Sequence, residues 1–270
     1  MSDFKMPLRP QNSNKGTFGK ILNIAGSNQY IGAAYLSTLA ALKVGAGYVA
    51  LSTTEKVINS VSQMVPEAVF LTRKEGLKFI EKCNVTAIGC GLGTGWAATD
   101  IFLKTIINLK NSKNSVVIDA DGLNILARFK NKISLPQNTI LTPHPGEAAR
   151  LLGTSIDEIL KDTEKSAKNI TEKYSCTTVL KTHRTVICNK ENLYINQNGN
   201  SALAKAGSGD VLTGIISGLS AQGMDSFSAA KLGVYLHALS GEIASKELSE
   251  YSVLASDLIK YLSCAIKNCL

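Results

Sequence analysis

Short apolar runs alternate with longer amphipathic segments between residues 21 and 181 of the 270-residue chain. The short runs are apolar on both faces, as the buried strands of a parallel sheet are, and we predict them to be strands. These strands are Ile21–Ala25, Tyr48–Ser52, Val85–Gly89, Val116–Asp119, Thr139–Thr142 and Thr177–Lys181. The segments predicted as helices are Ala33–Val44, Ala97–Leu109, Leu123–Phe129 and Ser155–Tyr174. This alternation predicts a mostly parallel sheet covered by helices on both faces.

The pattern changes after residue 185. Val186–Cys188 and Leu193–Asn196 are predicted to form an antiparallel hairpin at the edge of the sheet. Three helices are predicted to follow, over Val211–Ala221, Ser226–Ser245 and Ser252–Lys267. Because no repeat, low-complexity tract or linker-like run interrupts the sequence, we expect one α/β domain over residues 1–270. In such sheets ligands bind beyond the carboxyl ends of the strands.

Composition narrows the class of protein. Hydrophobic residues make up 44% of the chain and charged residues 19%, as in globular proteins. No apolar stretch approaches the roughly 18 residues that a membrane span needs. The polar segment Met1–Lys20 lacks the apolar centre of a secretory signal, so we expect a cytoplasmic protein. The six cysteines are scattered without zinc-ligand spacing, and we expect reduced thiols rather than a metal site.

The net charge of +8 comes from 29 Lys and Arg residues against 21 Asp and Glu residues. The basic residues are spread along the chain, with no basic run and no interleaved aromatic residues. This distribution disfavours a nucleic-acid-binding module. A basic cleft for a phosphorylated small molecule is compatible with the same excess of positive charge.

The strongest candidate for chemistry is the segment Lys205-Ala-Gly-Ser-Gly-Asp-Val-Leu-Thr-Gly214. Gly207 and Gly209 permit a tight turn, and the following helix directs free N–H groups and the positive end of its dipole at the same point. A phosphate, or the transferring phosphoryl group of a nucleotide, would be held there. Asp210 would repel that anion, but it could act as a general base beside it. The alternative is an ordinary helix start with Asp in its first turn.

A second candidate is Thr142-Pro-His-Pro-Gly-Glu147, directly after a predicted strand. The two prolines around His144 stiffen the backbone, so that the imidazole is presented for a ligand contact. The alternative is a turn that starts a helix at Pro145 and leaves His144 simply exposed. Glu147 could hold a magnesium-bound water or could cap that helix.

Three further turns follow predicted strands. Ile88-Gly-Cys-Gly-Leu-Gly-Thr-Gly95 lacks the GxGxxG spacing, and so indicates close backbone approach to a ligand rather than a Rossmann site. In Asp119-Ala-Asp-Gly-Leu-Asn124, Asp121 is expected to cap the next helix rather than to hold a metal. Lys181 ends a strand, where it could meet the charge of a nucleotide or remain solvated. The chain has no nucleophile elbow and no GxxxxGK[ST] loop, which disfavours covalent hydrolysis and P-loop chemistry.

Taken in order, these segments resemble the NAD(P)H-hydrate dehydratase family, whose fold is ribokinase-like. The resemblance is carried by Lys15–Gly19 and by GSNQYIGAAYLSTLAALKVGAG, IGCGLG, VIDADGLN, TPHPGEAARLLG and AKAGSGDVLTGIISGL. It implies that Asp210 is catalytic, and that the hydrated dinucleotide is bound by Ala33, Gly93, His144 and Asp210. It also implies an adenine-nucleotide site made of Lys181, Thr182, His183, Arg184, Thr185 and Gly209. Three residues depart from the family's usual pattern: Cys90 replaces Pro, Gly122 replaces Ala, and Thr182 replaces Gly, which affects the details of the nucleotide contacts.

The implied reaction restores NADH or NADPH from its hydrate at the expense of a nucleotide phosphoryl group, with Mg²⁺ present. ADP is expected rather than ATP, because stand-alone members of the family mostly use ADP. The expected partners are the hydrated dinucleotide and the nucleotide, with no nucleic acid or membrane, in a homo-oligomer that is linked functionally to an NAD(P)H-hydrate epimerase. The competing interpretations are a ribokinase-like vitamin-precursor kinase and a nucleotide-sensing module that would not need Asp210.

Overall fold

A nine-stranded sheet forms the centre of the molecule, in a computed structural model that describes residues 4–129 and 132–270. The strands are β1 Lys20–Ile24, β2 Tyr48–Thr53, β3 Val69–Thr72, β4 Val85–Ile88, β5 Ser115–Ile118, β6 Thr139–Leu141, β7 Thr177–Leu180, β8 Val186–Cys188 and β9 Leu193–Ile195. Their order across the sheet is β3-β2-β1-β4-β5-β6-β7-β8-β9. The strands from β3 to β7 in this order pair in parallel, while β8 and β9 are antiparallel. The mostly parallel sheet and its antiparallel hairpin are therefore confirmed.

Eleven helices are described around this sheet. They are α1 Ile31–Lys43, α2 Glu55–Val61, α3 Arg73–Phe79, α4 Trp96–Leu109, α5 Asp121–Arg128, α6 Pro145–Leu152, α7 Ile156–Lys161, α8 Thr163–Tyr174, α9 Ser208–Ala221, α10 Ser226–Leu248 and α11 Ala255–Lys267. Among the described helices, none combines the length and the apolar character that crossing a bilayer requires.

Neighbouring residues of one strand point to opposite sides of the sheet, and helices bury both sides. Leu22 and Ile24 of β1 pack on the side that carries α4, α5, α6 and α8. Ile21 packs on the other side, with residues of α1, α9 and α10. Burial on both faces explains why the strands appear in the sequence as continuous apolar runs rather than alternating ones.

The segment predicted as one helix over Ser155–Tyr174 is in fact two helices, and that prediction is wrong. The backbone leaves the helical conformation at Asp162, with φ −150° and ψ 89°. The Asp162 carboxylate accepts a hydrogen bond from the backbone N–H of Lys165, which caps α8. A new helix start is therefore encoded inside the predicted one.

The helices α1 and α9 pack closely against each other. A Cβ atom at Gly214 would overlap the backbone oxygen of Ser37, and one at Gly218 would overlap the side chain of Val44. Because glycine has no side chain at these two positions, the backbones of the two helices can approach directly. The position of α9, which begins with the Ser208–Asp210 turn, is thus fixed against α1.

Candidate active site

The carboxyl ends of β4, β5, β6 and β7 bring the candidate residues to one edge of the sheet. Ile88 lies beside Ile118, and Ile118 lies beside Leu141. The pairing continues past the strand ends, because the N–H of Asp119 donates to the backbone oxygen of Ile88 over 3.2 Å. The N–H of Lys181 likewise donates to the oxygen of Pro143 over 2.8 Å. The turns singled out in the sequence therefore meet at this edge, as is usual for ligand sites in such sheets.

An ion pair lies at the centre of this edge. The Nζ of Lys181 is 2.7 Å from Oδ1 of Asp119, and the Asp119 side chain is only 2% exposed. The hydroxyl of Thr213 on α9 donates to Oδ2 of Asp119, also over 2.7 Å. Burial alone would lower the pKa of Lys181, but the carboxylates of Asp119 and Glu147 outweigh burial and raise that pKa. Lys181 is therefore a fixed positive charge within the site.

Asp210 lies in the first turn of α9, beside this ion pair. The turn before it places Gly207 in the left-handed region, with φ 90°, where a residue with a side chain would be strained. A Cβ placed on Gly209 would lie 3.3 Å from Nζ of Lys181. Burial, and then the charge of Asp119, raise the pKa of Asp210 to about 6. A carboxylate with a pKa near 6 is a stronger base than an ordinary aspartate, and it is still ionised at neutral pH.

The thiol of Cys90 lies against the same two carboxylates. Its Sγ is 4.0 Å from Oδ2 of Asp119, and the side chain is buried. Burial, followed by the charges of Asp210 and Asp119, raises the pKa of Cys90 well above its ordinary value. Cys90 is therefore a neutral thiol, which adds no charge to the site.

His144 is the N-cap of α6, which begins at Pro145. Its Nδ1 accepts a hydrogen bond from the N–H of Gly146 over 3.0 Å. Burial, and then the charges of Lys181 and Arg150, lower the pKa of His144, so that the imidazole is neutral at pH 7. Because Nδ1 is the acceptor, the proton of the neutral ring lies on Nε2. His144 can thus donate from Nε2, and its side chain is 51% exposed.

Glu147 completes a capping box with His144, as the helix-capping alternative predicted. Its Oε2 accepts the backbone N–H of His144 over 2.9 Å, and its Oε1 lies 3.4 Å from Nε2 of the same residue. Burial is the main reason why the pKa of Glu147 is raised well above its ordinary value. The Glu147 carboxyl therefore positions His144. It also interacts electrostatically with Lys181 and Asp119.

Asp121 holds the turn after β4. The prediction that it caps α5 is wrong, because α5 has no side-chain cap. Oδ2 of Asp121 instead accepts the backbone N–H of Gly93 over 2.8 Å. Ala120, immediately before it, has φ 48° and ψ −118°, a conformation that is strained for a residue with a side chain. The strained backbone directs Asp119 toward Lys181 and Asp121 toward Gly93. Ala33 on α1 packs against this turn, since a Cβ placed on Gly91 would lie 2.8 Å from the methyl group of Ala33.

His237 is a site residue that the sequence analysis missed. It is buried on α10, and its Nε2 lies 3.0 Å from both the hydroxyl and the backbone oxygen of Ser208. Burial lowers the pKa of His237 to about 4, so the ring is neutral. Because Ser208 is the first residue of α9, this contact fixes the start of the helix that carries Asp210. No sequence signal linked His237 to Ser208, since the two residues lie on different helices.

The remaining predicted nucleotide residues form the turn between β7 and β8. The hydroxyl of Thr182 donates to the backbone oxygen of Arg184 over 2.7 Å, and that of Thr185 donates to the oxygen of Thr182 over 3.2 Å. His183 and Arg184 have exposed side chains. Within residues 4–129 and 132–270, no hydrogen bond or ion pair joins these two side chains to the Asp210 region.

The carboxylates at this edge suit a metal ion that arrives with a nucleotide. The described part of the chain holds no group of three or more His, Cys, Asp or Glu side chains arranged for a metal. Magnesium is commonly held by one or two carboxylates together with substrate phosphates and water. Glu147 can supply one such carboxylate, directly or through a magnesium-bound water, since both oxygens of Asp119 are engaged by Lys181 and Thr213. The site therefore fits magnesium bound to phosphates rather than a metal caged by protein.

Comparison with known proteins identifies similar sequences over most of the chain. The family model described as NAD(P)H-hydrate dehydratase matches residues 21–264. The chain is 38% identical over 240 residues to the ADP-dependent (S)-NAD(P)H-hydrate dehydratase of Neisseria meningitidis, covering 87% of this chain and 80% of that protein. It is 36% identical to the bifunctional NAD(P)H-hydrate repair enzyme Nnr of Moorella thermoacetica, covering 98% of this chain and 52% of that protein. The chain thus spans about half the length of this bifunctional relative.

Solved structures show the same fold. A ribokinase-like superfamily protein from Enterococcus faecalis superposes with a TM-score of 0.90 at 30% identity, covering 98% of this chain and 92% of that one. The ADP/ATP-dependent NAD(P)H-hydrate dehydratase from Bacillus subtilis, co-crystallized with ATP/Mg²⁺, superposes with a TM-score of 0.87 at 30% identity over 100% of both chains. The predicted ribokinase-like fold is confirmed.

Proposed function

The chain belongs to the NAD(P)H-hydrate dehydratase family, and on that basis we propose that it converts hydrated NADH and NADPH back to the reduced dinucleotides, using a phosphoryl group of ADP. One observation carries the proposal to this chain. The Asp210 carboxylate, with its raised pKa, lies at the start of α9 beside the Lys181–Asp119 ion pair. A general base and a fixed positive charge thus meet at a helix N-terminus, which is the arrangement that phosphoryl transfer to a hydroxyl needs.

The proposed chemistry begins with the hydroxyl group on the reduced nicotinamide ring. Asp210 takes the hydroxyl proton while the oxygen attacks the terminal phosphoryl group of ADP, which releases AMP. The lone pair of the ring nitrogen then expels the oxygen with its phosphoryl group as inorganic phosphate, by cleavage of the carbon–oxygen bond. Loss of a ring proton restores the dihydropyridine. The oxygen of the hydrate leaves in the phosphate, and no covalent bond to the protein is needed.

The negative charge on the transferring phosphoryl group is stabilised by groups that are already in place. The N–H groups at the start of α9 and the ammonium of Lys181 point to the same region. Magnesium bound to the nucleotide would neutralise further phosphate charge. We assign the nucleotide to Gly209 and to the turn formed by Lys181–Thr185, with ADP in preference to ATP.

The hydrated dinucleotide is assigned to Ala33, Gly93 and His144, together with Asp210. Ala33 lies on the helix after β1, Gly93 in the turn after β4 and His144 in the turn after β6. His144 presents Nε2–H as a donor, because Gly146 occupies its Nδ1. A neutral donor suits an uncharged amide or hydroxyl group on the ring, and it does not compete with Asp210 for the hydroxyl proton.

Replacing His144 by asparagine should weaken the binding of the hydrated dinucleotide and leave ADP affinity unchanged. Asparagine can keep the cap on α6, so the loss would report the Nε2 donor rather than helix stability. His144→Ala should weaken substrate binding similarly, and should also destabilise the protein by about 1 kcal/mol through the lost cap. KM for hydrated NADH and Kd for ADP, measured on both variants, test this assignment. Weaker ADP binding with unchanged substrate KM would assign the loop to the nucleotide instead.

The fate of the phosphoryl group separates this proposal from the kinase alternative. A phosphorylated hydroxyl next to an enamine nitrogen is expelled, whereas the phosphate ester of a primary alcohol is stable. We expect one inorganic phosphate for each NADH restored from its hydrate, at matching rates and only with magnesium present. Phosphate release and dihydropyridine absorbance, followed together with ADP and then with ATP, provide the measurement. A stable phosphate ester from a vitamin-precursor alcohol, without phosphate from hydrated NADH, would instead establish a kinase.

The wider setting follows from the same proposal. We propose a cytoplasmic protein that acts as a homo-oligomer on small molecules. Since the longer relatives are bifunctional, we also propose a functional link to an NAD(P)H-hydrate epimerase, which would supply the epimer that the dehydratase accepts.

A further inference from the structure

A shallow cavity of about 600 Å³, open to solvent, lies between α5, α6 and the turn after β4. Its lining consists of Thr94, Asp121, Asn124, Ala127, Arg128 and Arg150. Two of these side chains are cationic and one is anionic, so the lining carries a net positive charge. A concave basic surface of this kind attracts an anionic group.

The two guanidinium groups are oriented by neutral partners. Nη1 of Arg128 donates to the backbone oxygen of Thr94 over 2.7 Å, and Nε of Arg150 donates to Oδ1 of Asn124 over 2.9 Å. Over the described residues, neither guanidinium lies within 4 Å of a carboxylate oxygen. Each group therefore keeps both its full charge and donors beyond the one engaged. A guanidinium fork matches the geometry of phosphate oxygens.

The Asp121 carboxylate offsets one of the two positive charges, so the lining keeps a net charge of about +1. Oδ2 of Asp121 accepts the N–H of Gly93 over 2.8 Å. Asp121 thus connects the lining of the cavity to Gly93, in the turn after β4. The two arginines remain the charged groups available to a ligand.

The position of the cavity indicates which ligand would use it. Thr94 directly follows Gly93, and Arg150 lies on the helix that His144 caps. The lining comes from turns and helices that follow β4, β5 and β6, whereas the proposed nucleotide turn follows β7, the next strand in the sheet. The cavity therefore adjoins the proposed dinucleotide end of the site.

We propose that Arg128 and Arg150 bind a phosphate group of the hydrated dinucleotide, an inference that rests on the proposed function. Phosphate occurs in both dinucleotides as the diphosphate bridge, and in NADPH also as the 2′-phosphate. Because the phosphate groups of the dinucleotide are remote from the ring, binding them would hold the hydroxyl in place at Asp210 without taking part in the chemistry.

The test is the affinity of Arg128→Gln and Arg150→Gln for NADH and NADPH, the products of the proposed reaction, measured by titration calorimetry. Each variant should bind at least one dinucleotide about tenfold more weakly, as expected for a lost charge-assisted hydrogen bond. Equal losses for both ligands identify the diphosphate, and a loss confined to NADPH identifies the 2′-phosphate. Unchanged Kd for both ligands in both variants overturns the proposal.

Arg9→Gln is the matched control, since Arg9 also donates to a backbone oxygen, that of Gly45, but lies outside the cavity. It should leave both affinities unchanged. Turnover of hydrated NADH by the wild type keeps the two proposals apart. If turnover is present while the arginine variants bind normally, only the phosphate assignment fails. If turnover is absent, the proposed function fails, and titration with inorganic pyrophosphate still reports whether the arginine pair binds phosphate.

Discussion

Asp210→Asn is expected to lower kcat for dehydration by roughly 100-fold or more, while nucleotide and dinucleotide affinities stay near those of the wild type. Asparagine keeps the size of the side chain but cannot accept the hydroxyl proton, and general-base catalysis commonly contributes 10²–10⁴-fold. Steady-state kinetics with hydrated NADH and ADP, together with Kd for each ligand, provide the measurement. Near-normal kcat in this variant would remove Asp210 from the mechanism.

The pH profile gives the same prediction an independent readout. Because the pKa of Asp210 is raised to about 6, the carboxylate is protonated below pH 6 and cannot act as a base. Wild-type kcat should therefore fall as the pH is lowered through about 6, and this limb should be missing from Asp210→Asn. Asp157→Asn, an exposed position in the first turn of α7, should retain both the rate and the limb.

Lys181→Met is expected to lower the free energy of unfolding by roughly 3 kcal/mol. The substitution leaves the buried Asp119 carboxylate without its cation, and removing one partner of a buried pair costs about 3–5 kcal/mol. The lower end applies because the Lys181 side chain is still 20% exposed. Urea denaturation followed by circular dichroism measures the change.

Lys104→Met is the matched control for this prediction. Lys104 pairs with Asp100 at 2.8 Å, close to the Lys181–Asp119 distance, but both side chains are exposed. Exposed pairs of this kind contribute about 0.3–0.5 kcal/mol, so the control should unfold almost as the wild type does. Equal effects of the two substitutions would mean that the Lys181–Asp119 pair is not held in a buried site. Adding Asp119→Asn to Lys181→Met should recover part of the lost stability.

The six parallel strands predicted from the sequence are those buried on both faces. The strand β3 was missed because it is a four-residue edge strand whose side chains are all only half-buried. The helix α3 follows it immediately and was missed as well, although a signal was present. Thr72 and Glu75 form a capping box, a Thr-x-x-Glu pattern that marks a helix start. Local capping chemistry could thus have recovered α3, whereas β3 depends on its pairing with β2.

The parts of the site that lie within one segment could be predicted from the sequence. The contacts between residues of distant segments could not. Asp210 and the turn before it lie within a few residues, so glycine spacing and helix polarity indicated an anion site. The partners that determine the charge state of the site come from distant segments. Asp119 and Lys181 are 62 residues apart, and Thr213 lies 94 residues from Asp119. Such pairs follow from the order of the strands, which the sequence pattern alone does not give.

The close packing of α1 against α9 means that the catalytic site is arranged during folding rather than when ligands bind. Since a Cβ atom at Gly214 or Gly218 would overlap Ser37 or Val44, α9 is closely packed against α1, and this packing holds the helix that carries Asp210 in place. The base is therefore preorganised by the folding reaction itself, and little reorganisation is left for the chemical step. Enlarging either glycine by a methyl group would displace the base without touching any residue of the site. Substitutions at Gly214 and Gly218 would thus be poorly tolerated, although neither residue is among those assigned to a ligand.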